Sequence, residues 1–177
     1  MNQKNGKNSL GLDSIFEDLD NPVDLFKNWF KRAEETEIND PNAVALGTAD
    51  QKNQPSVRMV LLKGLSNEGF VFYTNFNSKK GSDLKTNQQA SMCFHWKSLR
   101  RQIRIIGKVQ QVSKEEADNY YNSRPYKNRI SAWASNQSER LKSRDTFIQK
   151  ITEFEKKYPD QKNVPRPPHW SGWRILP

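Results

Sequence analysis

The chain has 177 residues and carries nine Phe, five Tyr and five Trp, enough for one domain with a sizeable core and too aromatic for a disordered chain. No apolar run approaches the ~20 residues of a membrane span, the first ten residues lack a signal-peptide core, and a lone Cys93 permits no intrachain disulfide, so a cytoplasmic protein without a membrane partner is expected. The net charge of +9 resides in one block, Gln51 to Ser113, where eleven Lys and Arg face two acidic residues; this suits a solvated face, a polyanion surface or a pocket for phosphorylated ligands.

Residues 1–20 show no sustained period and are expected to form a mobile arm, with 21–177 as a single domain. Asn21 has the character of a helix cap, with Pro22 at the first helical position and Asp24 in the first turn. Phe26, Trp29, Phe30 and Ala33 follow at helical spacing and predict a helix to about Glu37. The period then changes to two. Ala43 to Ala49, Ser56 to Lys63, Gly69 to Asn75, Ala90 to Lys97 and Arg101 to Val112 are predicted strands separated by Gly, Asn, Asp and Ser clusters. The short connections predict a largely antiparallel sheet that closes toward a barrel. In the last of these strands Ile103, Ile105, Gly107 and Val109 form a core face, while Gln102, Arg104, Lys108 and Gln110 form a polar one.

Ser113 and Glu116 make a capping-box pattern for a helix through Tyr120 and Tyr121, which Pro125 ends at Arg124. A short helical stretch is expected over Ile130 to Ala134. Ser138 is expected to cap a longer helix with the stripe Leu141, Ile148, Ile151, Phe154 and Tyr158. After a Pro- and Lys-rich loop, His169 to Leu176 begins a last strand. It stops in mid-pattern at Pro177, so an open barrel edge is expected there.

Nucleotide-binding glycine fingerprints, phosphate-binding Walker loops, serine-hydrolase elbows and paired-His zinc helices are absent from the sequence. His95 and His169 lie far apart and read as structural or surface residues, and no metal site is expected. Chemistry, if any, is expected to come from a bound organic cofactor. The remaining polar signals cluster at strand ends. Arg58 to Lys63 brackets an apolar stretch, which on a strand can be buried on both faces, with two cations at its ends. Tyr73-Thr74 closes the next strand, and Asn77-Ser78-Lys79-Lys80-Gly81 forms a turn into a short helix, where backbone N–H groups and lysines can grip a phosphate.

In this order the run Arg58 to Lys63, Tyr73-Thr74, Ser78 to Gly81, Arg101-Gln102, Ser123-Arg124-Pro125, Ala132 to Ser138 and Trp170 to Arg174 resembles the pyridoxamine 5'-phosphate oxidase family. The resemblance covers about residues 21 to 177. It implies a mainly β, α+β fold: an FMN-binding split β-barrel of antiparallel Greek-key type with flanking helices, built as a homodimer with FMN at the subunit interface. It implies FMN contacts from Arg58, Met59, Val60, Leu61, Leu62, Lys63, Tyr73, Thr74, Lys79, Lys80, Gln102, Gln137 and Ser138. Lys63, Tyr120, Arg124 and Asn128 would hold the phosphorylated substrate. The implied activity is oxidation of pyridoxamine or pyridoxine 5'-phosphate to pyridoxal 5'-phosphate by O2, with hydrogen peroxide released and no catalytic acid or base assigned. A non-catalytic flavin-binding module and a basic nucleic-acid-binding barrel are the rival readings. The family's basic, Tyr-containing N-terminal motif is not found in Met1 to Asp20. The domain is read as lacking the family's C-terminal strands, with a Trp and an Arg for FMN and an Arg-Leu-His for the substrate, either by truncation of the sequence or by loss of part of the site.

Overall fold

The computed structural model describes residues 19–177, so the arm expected over residues 1–20 lies outside the described residues save its last two. The elements run α1 (Pro22–Thr36), β1 (Ala43–Ala49), β2 (Pro55–Leu61), β3 (Gly64–Ser66), β4 (Gly69–Asn75), α2 (Lys79–Thr86), β5 (Gln89–Trp96), β6 (Arg101–Gln111), α3 (Lys114–Ser123), α4 (Tyr126–Ala134), α5 (Arg144–Lys157) and β7 (Trp170–Leu176). The seven strands make one antiparallel sheet in the order β2-β1-β5-β6-β7-β4-β3. The sheet curls until its two ends meet through the chain itself. Leu62 N donates to Asn42 O at 2.8 Å beside β1, and Lys63 N donates to Val71 O at 2.8 Å on β4.

The inner face of the curl is the core. Val44, Leu46, Met92, Phe94, Trp96, Ile105, Val109, Phe70, Phe72, Trp173 and Ile175 are all buried there, and α1 packs into it. Phe26 of α1 meets Phe70 edge-on at 5.0 Å and Phe94 at 5.2 Å, so the helix stripe becomes part of the barrel interior. The Asn21 cap forms as its residue type dictates, its Oδ1 accepting from Val23 N at 2.9 Å. Ser113 Oγ accepts from Glu116 N at 3.0 Å, and α3 stops at Ser123 ahead of Pro125.

Four expectations need correction. β2 ends at Leu61, and its apolar run is not buried on both faces: Val57 is 72%, Met59 63% and Leu61 41% exposed, because alternate side chains of β2 point to the outer face of the sheet, which no described element covers there, as at Ile106 of β6. β7 does not leave an open edge, since it pairs with β6 on one side and β4 on the other. Ser138 does not cap the long helix. It sits at φ 71°, and α5 starts six residues later, where Ser143 Oγ accepts from Thr146 N at 3.1 Å; Leu141 precedes the helix and is exposed. The stretch expected at Ile130 extends back to Tyr126, so α4 begins directly after Pro125. The short strand β3 was not anticipated. At its turn into β4, Gly69 adopts φ +138°, and a side chain there would lie 2.0 Å from Ile175 O.

Candidate functional site

Of eight buried polar residues among those described, six gather around α2: Thr48, Thr74, Asn75, Ser78, Lys80 and Asp83. β4 ends in Thr74 and Asn75, and the chain turns sharply into the helix. Asn75 Oδ1 accepts from Asn77 N at 2.8 Å, and Ser78 Oγ donates to Asn75 O at 2.6 Å. Gly81 makes the turn possible, since a Cβ there would meet Phe76 O at 2.5 Å. The turn aims Lys80 inward, only 7% exposed, its Nζ donating to Gln137 Oε1 at 2.9 Å, Thr74 Oγ1 at 3.2 Å and Ser78 Oγ at 3.3 Å. These are neutral acceptors, and among the described residues no carboxylate pairs with this ammonium. Burial, reinforced by the Arg58 charge, pulls Lys80 down to about 8.

Lys80 opens into a cleft of about 550 Å³. The facing wall comes from the end of α3 and the start of α4, which bring Tyr120, Ser123, Arg124 and Asn128 to it. Three rings stack along this wall. Tyr73 lies 3.9 Å from Tyr120 and 5.4 Å from Trp170, all within 18° of parallel. Gly172 leaves the space for Tyr73, as a Cβ there would approach its ring to 2.8 Å. Burial pushes Tyr73 up to about 12, so its hydroxyl stays protonated through the physiological range. The Arg124 guanidinium lies 4.7 Å from the Trp170 ring centre, and its Nη1 is shut off from solvent without a hydrogen-bond partner among the described residues. Three cleft cations, Lys63, Lys80 and Arg124, without a carboxylate partner among the described residues, together with a wall of flat rings, suit planar aromatic ligands that carry phosphate.

Most of the residues expected at a site do converge here. Met59, Val60, Leu61 and Lys63 from β2 and its exit form one rim, Tyr73, Thr74 and Lys80 the floor, and Tyr120, Arg124, Asn128 and Gln137 the far side. Five lie elsewhere in the chain. Leu62 is buried in the core. Lys79 turns outward to Asp83 at 2.5 Å and Asp50 at 3.4 Å. Arg58 sits behind the cleft, its Nη1 donating to Leu46 O at 3.0 Å and Thr48 Oγ1 at 2.7 Å. Ser138 flanks a separate hollow against α5, and Gln102 lies at the β5–β6 end of the sheet beside His95, Lys97 and Arg100.

Asn75, Ser135 and Trp170 line the cleft and were not anticipated as site residues. Asn75 Nδ2 donates to Ser135 O at 3.2 Å, which fixes the segment carrying Gln137. The Trp170-Ser171-Gly172 run was visible as a motif, and a small residue two positions after a Trp on one strand face was the available sign of ring packing.

Residues 30–158 match the family model described as pyridoxamine 5'-phosphate oxidase. The chain is 58% identical to a pyridoxine/pyridoxamine 5'-phosphate oxidase of Pelagibacter ubique, over 98% of this chain and 83% of that protein. It is 54% identical to the Sinorhizobium fredii protein of that name, over 92% of this chain and 78% of that one. Among solved structures, PhzG from Burkholderia lata, in complex with tetrahydrophenazine-1-carboxylic acid, superimposes with a TM-score of 0.86 at 27% identity, covering 94% of this chain and 83% of that one. A pyridoxamine 5'-phosphate oxidase-related, FMN-binding protein from Nostoc punctiforme has the same split-barrel fold, with a TM-score of 0.69 at 16% identity over 89% and 81% of the two chains. With the curled sheet, the ring-walled cleft and the relatives in agreement, the chain belongs to the pyridoxamine 5'-phosphate oxidase family.

Proposed function

We propose that this protein is a cytoplasmic, homodimeric, FMN-dependent oxidase that converts pyridoxamine 5'-phosphate or pyridoxine 5'-phosphate to pyridoxal 5'-phosphate, reducing O2 to hydrogen peroxide. The names of its relatives support the substrate class. The observation that carries the reading is the set of three cations, Lys63, Lys80 and Arg124, that line one cleft and find no carboxylate among the described residues. A buried ammonium already losing its proton at about 8 fits a site completed by an anion.

The residues fit FMN on one side of the cleft. Lys80, Thr74 and Gln137 would hold its phosphate, backed by Arg58, and the β2 segment Met59 to Leu61 would lie along its ring system. Lys63, Tyr120, Arg124 and Asn128 would take the phosphate of the substrate. FMN, when bound, would supply the two-electron acceptor for oxidation at the substrate's C4' carbon, with O2 as the final oxidant. The chain's own part is to bind and orient two flat rings, exclude water with the Tyr73–Tyr120–Trp170 wall, and neutralise two phosphates. For the amine substrate, water then hydrolyses the released imine to the aldehyde and ammonia.

The dimer reading rests on the outer face of the sheet. The paired rows Leu61–Ala43, Met59–Ala45–Cys93–Arg104 and Val57–Gly47–Ser91–Ile106 lay small side chains beside the exposed Leu61, Met59, Val57 and Ile106, with the Arg104 charge closing one row. Such a flat apolar patch suits a second copy of the chain, and Gln102 borders it, away from its own cleft. A second subunit would bring Gln102 to a flavin that its own protomer cannot offer it to. No described helix is long and apolar enough to cross a membrane. The decisive experiment is purification followed by an absorbance spectrum and a peroxide assay with pyridoxamine 5'-phosphate. Flavin absorbance with peroxide release is expected; flavin without peroxide would leave only a binding module, and a colourless protein that takes up no FMN would overturn the reading.

A further inference from the structure

Asp83 is out of place beside an anion site. It projects from α2 into the barrel end at 2% exposure, among Lys79, Arg58 and, one helical turn away, Lys80. By Coulomb's law alone a buried carboxylate there repels the phosphate that Lys80 is set to receive. Its contacts show what it does instead. Oδ1 accepts from Lys79 Nζ at 2.5 Å, while Oδ2 accepts from Thr48 Oγ1 at 2.8 Å and faces Arg58 Nη2 at 3.9 Å. The Thr48 hydroxyl gives its proton to Asp83, so its lone pairs are turned to Arg58 Nη1 at 2.7 Å. Leu46 O and Ser56 Oγ take further guanidinium protons. Three elements, β1, β2 and α2, are thus tied around one guanidinium, and the knot is the carboxylate.

We propose that Asp83 is a positioning residue for the phosphate end of the flavin site: through Thr48 it fixes the Arg58 guanidinium behind Lys80 and holds α2 against β1. The proposal rests on the flavin reading above. It makes a prediction opposite in sign to simple electrostatics. Removing a negative charge near an anion site should tighten phosphate binding, whereas removing a tether should loosen it.

Asp83→Asn is nearly isosteric and keeps an acceptor for Thr48 while ending the ion pairs with Lys79 and Arg58. Fluorescence titration with FMN and with riboflavin, which lacks the phosphate, separates the phosphate end from the ring. Asp83→Asn is expected to weaken FMN binding by about fivefold or more with riboflavin affinity unchanged, and to add nothing in an Arg58→Ala background. Thr48→Val should weaken FMN binding in the same direction with less effect, and it tests the tether if Asp83→Asn does not fold. Equal or tighter FMN binding by the folded variants, an equal loss for riboflavin, or an undiminished loss in the Arg58→Ala background would overturn the proposal. Failure of the folded wild-type protein to bind FMN would instead overturn the flavin reading, and the role of Asp83 with it.

Discussion

The Lys80 ammonium should make FMN binding fade with alkaline pH. In the ligand-free protein this group titrates near 8, while a phosphate monoester is already a dianion above about pH 6. If binding requires the protonated amine, the apparent dissociation constant scales as one plus the deprotonated-to-protonated ratio, so it should rise about thirtyfold between pH 7 and pH 9.5. That rise stays within the ~10- to 100-fold worth of one charge-assisted phosphate contact, so a plateau beyond it is expected. Tyr73, pushed up to about 12 chiefly by burial, remains neutral over this range and does not confuse the curve. The assay is quenching of flavin fluorescence across the pH range, with riboflavin as the phosphate-free control and Lys80→Met as the variant that lacks the titrating group. A flat FMN profile, a riboflavin profile that falls equally, or a Lys80→Met profile as steep as wild type would refute the reasoning.

The same group has a stability signature of opposite sign. Because its folded value lies below the ordinary lysine range, the unfolded chain holds more protons between about pH 8 and 10, and ligand-free wild type should gain stability relative to Lys80→Met across that window in urea melts. Arg124→Ala should raise the substrate KM about ten- to a hundredfold while FMN affinity stays within about twofold, as steady-state kinetics on the holoenzyme will report; flavin loss with a normal KM would place Arg124 on the other ligand. Ala45→Arg, a charge set in the middle of the exposed sheet face, should convert a dimer to a monomer in light scattering and lower flavin retention. Gly172→Val should push Tyr73 off its stack and cost about 1–3 kcal/mol in thermal unfolding, with the loss concentrated in substrate binding.

Where local chemistry and tertiary surroundings agree, the sequence is a good guide. Asn21, Ser78 and Ser113 cap helices because an oxygen-bearing side chain before a helical stripe has one favourable use. The alternation in β6 places Ile105 and Val109 in the core as its period requires. β2 is different. Met59 to Leu62 is apolar without interruption, and such a run does not reveal whether its second face meets this chain or another; the structure leaves Met59 in the open and buries Leu62. Ser138 and Ser143 precede similar polar stretches, and only the tertiary path, with Ser138 at positive φ, selects the second as the cap. At the site, Lys79 and Lys80 are adjacent and chemically equal in sequence. The helix turn sends one to the carboxylates of Asp50 and Asp83 and the other into the cleft. Asp83 itself carries no motif, so its place in the Arg58 network emerges only from the packing of α2 on β1.

The stack of Tyr73, Tyr120 and Trp170 makes the cleft optically self-reporting. Of the five tryptophans, Trp170 is the one that lines it, with the Arg124 guanidinium over its face. An aromatic guest in the cleft would meet Trp170 directly, whereas Trp29 and Trp96 sit with α1 and the core aromatics at the other side of the sheet. Contact quenching by a docked ring should therefore fall chiefly on Trp170, and Trp170→Phe should remove that part of the signal while preserving a ring for Tyr73 to lean on. Cleft occupancy becomes readable in the native chain, in real time and without a label.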